Sequence, residues 1–141
     1  MNIKRLILAI AAVFAVVFIT DYFIHRVWLM PTYQATASLW RPQGQMCSHI
    51  GWLTLAQLLW SATFVVLWAK GFAEKACPVC AVLFGLFMGV FFETNSLISY
   101  AVQPLPCCLA LKWIISGVGQ SVLAALVAYL VYKPNPSTGE K

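Results

Sequence analysis

Four long apolar runs, at about 3–28, 50–69, 79–101 and 109–132, alternate along this chain with short polar connections. Each meets the roughly 20 residues that an α-helix needs to cross a bilayer. Between the first two, the pattern changes: Tyr33, Ala37 and Trp40 fall on one helical face, and Gln34, Ser38 and Arg41 on another. Pro31 suits a first helical turn, aromatic residues suit headgroup depth, and Pro42 and Gly44 read as stops. The pattern predicts an all-α polytopic membrane protein. It is a four-transmembrane-helix bundle forming one domain over 1–132, with a short interfacial helix at about 31–41 after helix one. The tail at 133–141 has no apolar periodicity and is expected to be disordered and cytoplasmic.

Composition sharpens the class. Hydrophobic residues make up 62% of the 141 residues and charged residues 9%, against about 25% charged in a soluble domain, which excludes a soluble fold. The net charge of +5 is spread over ends and loops without a basic patch; the partner it implies is the lipid bilayer, and nucleic acid is excluded. The opening Met-Asn-Ile-Lys-Arg imitates a signal-peptide start. The apolar run behind it is too long, and the small-residue triplet Ala35-Thr36-Ala37 lies far beyond it, so a retained anchor is expected. Lys4, Arg5, Lys70, Lys75, Lys133 and Lys141 outnumber Arg26, Arg41 and Lys112 on the opposite side, which puts both termini in the cytoplasm.

Within so apolar a chain, ionisable residues near the spans are the first candidates for function. Asp21 and His25 are one helical turn apart and share a face, with Arg26 beside them. Glu93 extends a stripe, Ala81, Gly85, Gly89, Glu93, Leu97, whose glycines let another helix approach closely. We expect Asp21, His25 and Glu93 to cluster beneath the interfacial helix, capped by Trp40 and Arg41, with Arg26 nearby. Such a cluster would bind a proton, a metal ion or a small molecule. The same residues would equally serve as a polar clamp fixing helix register, or as a wet interface that ends the span. Gln57 is expected to hydrogen-bond across the bundle. Gly117, Ser121 and Ala125, flanked by Ser116, Gln120, Ala124 and Ala128, read as a packing seam.

The five cysteines offer a second chemistry. Cys77-Pro78-Val79-Cys80 opens helix three on the expected cytoplasmic side, where helix-terminal amides favour a thiolate and a reducing compartment would keep free thiols. Cys47, His49, Cys107 and Cys108 lie on the other side. Cys47 could pair with Cys107 or Cys108, or these thiols and the His49 imidazole could hold a soft metal ion such as copper, mercury or zinc. Apolar filler is the plainer reading.

Asp21-x3-His25, then Thr32-Tyr33-x-Ala35-Thr36-Ala37-x-Leu39-Trp40-Arg41-Pro42 and Met46, resembles a group of small bacterial four-helix membrane proteins of unknown function. Val102-Gln-Pro-Leu-Pro, Leu111-Lys112-Trp113 and Tyr132-Lys133-Pro134 extend the likeness over most of the chain. The resemblance implies four helices in a bacterial inner membrane with both ends cytoplasmic. The cysteines are not part of that pattern.

The leading expectation is therefore a non-enzymatic inner-membrane accessory or ligand-binding protein, acting through the outer cluster, with other membrane subunits or a second copy as partners. Two alternatives stay open: soft-metal transport from Cys47, Cys107 and Cys108 to Cys77 and Cys80, and thiol–disulfide exchange by the same cysteines. No Ser-His-Asp arrangement, phosphate loop or His-Glu-x-x-His motif is present to support hydrolase or kinase chemistry.

Overall fold

The computed structural model describes residues 2–75 and 77–132; the tail expected to be disordered at 133–141 lies outside the described residues. Asn2 caps the first helix, its side chain accepting from the Arg5 amide at 3.2 Å. The helices are α1 Ile3–Asp21, α2 Met30–Ala35, α3 Gln43–Ser48, α4 Ile50–Gly71, α5 Pro78–Val102 and α6 Cys107–Val131. Four stretches, Ile3–Trp28, Ile50–Gly71, Pro78–Val102 and Cys107–Val131, are long and apolar enough to cross a membrane. That fits the expected all-α bundle and an integral membrane protein.

Two local features differ from the expectation. The first span does not end as a plain α-helix. It widens into a π-helix at Tyr22–Trp28, where the Leu29 amide reaches back five residues to the Ile24 carbonyl at 2.8 Å. The single interfacial helix expected at 31–41 is also broken. α2 stops at Ala35, and a 3-10 turn follows at Ala37–Leu39. Thr36 sits at the break: its hydroxyl donates to the Thr32 carbonyl at 2.8 Å and accepts the Trp40 indole N–H at 2.9 Å. Pro42, expected as a stop, instead precedes and caps α3. A proline has no N–H to lose at a helix start, so Pro42 is accommodated there, after the 3-10 turn has already ended at Leu39.

The glycine stripe of α5 packs as the sequence predicts. A Cβ on Gly85 would stand 2.5 Å from the Val122 Cα, and one on Gly89 would stand 2.8 Å from the Val118 Cα. Only a residue without a side chain admits that approach, and α5 and α6 form the tightest helix pair. α1 packs on both α4 and α6. The main core is built from Val13, Val17, Phe64, Trp68, Ala81, Phe84, Ala124 and Ala128. Outward positions carry large apolar side chains such as Phe87, 75% exposed, and Ile115, 67% exposed, which suits contact with lipid tails and not with water. A second, smaller core of Leu29, Leu105 and Leu109 lies under the interfacial segment, with Ile24, Tyr33, Trp40 and Trp113 against it.

Candidate polar site at one end of the bundle

The site begins with Asp21, the last residue of α1. Each of its carboxylate oxygens takes a carboxamide from a different span: Gln57 of α4 donates to Oδ2, and Gln120 of α6 donates to Oδ1 at 2.8 Å. Gln120 also reaches the Thr20 hydroxyl at 2.7 Å and the Val17 carbonyl at 3.2 Å. A carboxylate at the end of an apolar span needs such donors, because an unpaired buried charge costs several kcal/mol, roughly. Three of the four spans are thus tied to one side chain.

From Asp21 the polar chain continues outward. His25 lies one turn on, within the π-helix, its Nε2 4.0 Å from Asp21 Oδ1. That distance orients charge without making a hydrogen bond. Its Nδ1 is 2.7 Å from the Tyr33 hydroxyl, and the two rings stack with centroids 6.0 Å apart. Tyr33 Oη accepts the Trp113 indole N–H at 2.8 Å. Indole only donates, so the tyrosine proton is left to point at Nδ1. In the neutral imidazole, Nε2 then carries the ring proton toward Asp21. Asp21, His25 and Tyr33 form an ordered chain fastened at its far end by α6.

Trp40 closes the top, packing edge-on against Tyr33 at 5.3 Å and against Trp113 at 6.0 Å. Lys112 of α6 adds a cationic rim, 5.6 Å from the Trp28 ring and 3.4 Å from the Thr32 hydroxyl. Burial pushes the Tyr33 phenol above its usual pKa; the Trp113 hydrogen bond opposes this and the Asp21 carboxylate adds to it. Tyr33 therefore remains protonated at physiological pH. Beside the site, a shallow groove of about 210 Å³ runs between the π-helix and α6, with Thr20, Ser116 and Gln120 among otherwise apolar walls.

The structure divides the residues singled out in the sequence. Asp21 and His25 come within 4.0 Å of each other, and Trp40 packs on Tyr33 and Trp113. Glu93 does not join them; its carboxylate takes the Ser96 hydroxyl at 2.5 Å and fills the space left by the missing side chain of Gly117. The physical reason is the glycine seam, which commits that face of α5 to α6, whereas Asp21 faces α4 and another turn of α6. Arg26 is exposed, with no hydrogen bond or ion pair among the described residues. Arg41 turns away from the cluster and donates to His49 Nε2 at 2.7 Å. His49 Nδ1 meets the Gln45 carbonyl at 2.9 Å, so both ring nitrogens are engaged.

Cys47, Cys107 and Cys108 are exposed free thiols, so the disulfide considered between the outer connections is not formed. Cys77 and Cys80, expected as thiols, are joined in a disulfide. The extended backbone of Cys77 and the first turn of α5 bring their Cα atoms to 5.1 Å, within the range a disulfide requires. No group of three or more His, Cys, Asp or Glu side chains able to hold a metal ion forms among the described residues.

Gln120, Tyr33 and Trp113 were not singled out as site residues. Gln120 carried a usable signal, as the lone carboxamide of its span. Tyr33 and Trp40 carried another, being seven residues apart and so two turns along one face. Nothing local to Trp113 announces its partner, which lies 80 positions away in the chain. The chain matches no family model, no curated protein and no solved structure.

Proposed function

We propose that this chain is a small accessory or ligand-binding protein of a bacterial inner membrane, with both termini in the cytoplasm. It engages a partner subunit or small ligand through the Asp21–His25–Tyr33 chain at the outer end of the bundle. One observation carries the reading. Asp21 is held by donors from two other spans and leads to an imidazole whose side chain is 46% exposed. A register clamp alone would be satisfied at Asp21; here the polar path continues to the His25 imidazole and on to Tyr33, against which Trp40 packs, with Lys112 set beside Trp28 and Thr32. Such a rim suits a hydrogen-bonding or anionic group at headgroup depth.

Soft-metal transport draws less support. His49 has both nitrogens engaged, and Cys77 and Cys80 are oxidised and so lack thiolates to offer a metal.

Native mass spectrometry of the full-length protein, released gently from its own membranes, tests the proposal. Wild type should retain a stoichiometric partner or ligand. His25→Ala and Asp21→Asn should lose it while still inserting and eluting as folded protein. A bare wild-type mass, or unchanged retention by both variants, overturns the reading.

A further inference from the structure

The opposite end of the bundle holds a second candidate, independent of the polar site. The Cys77–Cys80 disulfide opens α5, and Cys80 lines an apolar groove of about 660 Å³. The groove runs between the end of α4, with Leu67, Lys70 and the following Phe72, and the first turns of α5, with Leu83 and Phe87. The groove is open along the outer surface of the bundle, with Phe87 on its wall 75% exposed. Its walls are apolar, and among the described residues Lys70 is the sole charged one on them.

We propose that this groove binds a lipid-soluble quinone and that Cys77 and Cys80 form a redox couple with it. Three features meet there. Cys80, one half of the disulfide, lines the wall, so a ring lying in the groove sits beside the residue pair that would exchange electrons with it. The apolar lining accepts an isoprenoid tail, and Lys70 supplies a donor for a quinone carbonyl at the end of the α4 span, where a polar ring would sit. At the helix start, the Cys80 amide donates to Cys77 Sγ at 3.1 Å, which favours the thiolate form of Cys77 once the bond is reduced.

The chemistry balances without a metal. A partner dithiol reduces Cys77–Cys80 by thiol–disulfide exchange and leaves as its own disulfide. The two protein thiols then re-form their S–S bond, losing two protons and two electrons. The quinone takes up both and departs as hydroquinone.

The test uses the full-length protein in lipid nanodiscs, reduced, freed of reductant and kept anaerobic. The probe is a fully substituted benzoquinone with a short isoprenoid tail, chosen because it resists direct thiol addition. Wild type should consume one quinone per chain and lose two thiols, at least tenfold faster than an unstructured Cys-Pro-Val-Cys peptide. Cys80→Ser should abolish the reaction, and Cys47→Ser/Cys107→Ser/Cys108→Ser should leave it unchanged. Leu83→Trp should slow it at least tenfold by filling the groove, while Leu83→Met, of similar volume, keeps the wild-type rate. A wild-type rate equal to that of the peptide would show a groove occupied by lipid tails only and would overturn the proposal. So would equal rates in wild type and Leu83→Trp.

Discussion

Gln120 donates to the Asp21 carboxylate at 2.8 Å across 99 positions of sequence, tying the last span to the end of the first. Gln57 donates to the other oxygen of the same group from α4. Replacing either glutamine by leucine should cost about 1 kcal/mol of bundle stability, the scale measured for hydrogen bonds between membrane helices. Because both bonds end on one carboxylate, the double change should be non-additive. Reversible unfolding in mixed micelles measures it; strict additivity would show that the two amides do not share Asp21.

The α5–α6 seam predicts a sharp contrast among glycines. Gly85→Ala and Gly89→Ala push a methyl into backbone atoms of α6 and should destabilise by about 1–3 kcal/mol. Gly119→Ala meets nothing within 4 Å and should be neutral or slightly stabilising, since alanine favours a helix over glycine. The same unfolding assay ranks the three; equal effects would refute the close approach.

Gly117→Ala is a different case, because its new methyl would collide with a side chain and not with backbone. The Glu93 carboxylate occupies that space and can swing away. We therefore expect Gly117→Ala to cost less than Gly85→Ala or Gly89→Ala, and what cost remains to fall away in combination with Glu93→Ala. A double-mutant cycle with no coupling between the two would remove Glu93 from the seam.

Much of this arrangement is readable from the sequence. The spans follow from apolar length, and the close helix pair follows from Gly85 and Gly89. Asp21 with His25, and Gln57 as a cross-bundle donor, follow from helical spacing and the cost of lone polar groups. What spacing could not supply is the choice of partner. The sequence places Glu93 at a depth similar to that of Asp21, and depth alone suggests a cluster. Which way Glu93 faces depends on which helix fills the glycine groove, a property of the packed pair. The break at Thr36 has no local sequence signature for a related reason. Its hydroxyl competes for backbone and indole partners that exist only once Trp40 has folded over Tyr33. The Cys77–Cys80 bond went against an argument from compartment, which says what redox state is favoured in solution and nothing about local geometry.

Tyr33 gives the chain a measurable pH signature. Its phenol pKa is raised above the ordinary 10.0, chiefly by burial. The folded state then holds the proton more tightly than the unfolded state. The contribution of Tyr33 to stability is therefore fully present below pH 10 or so and is lost as pH rises through the higher folded value. The tyrosinate absorbance of wild type minus that of Tyr33→Phe isolates this one group among the five tyrosines and should give a midpoint above 10.0. Two neighbours act with opposite signs. Asp21→Asn removes a negative charge that disfavours tyrosinate and should lower the midpoint. Trp113→Phe removes the donor that favours tyrosinate and should raise it. Shifts in the reverse directions, or none, would mean that Tyr33 is not linked to Asp21 and Trp113 in the membrane-bound protein. The polar chain from Asp21 would then end at His25 and not continue to Tyr33.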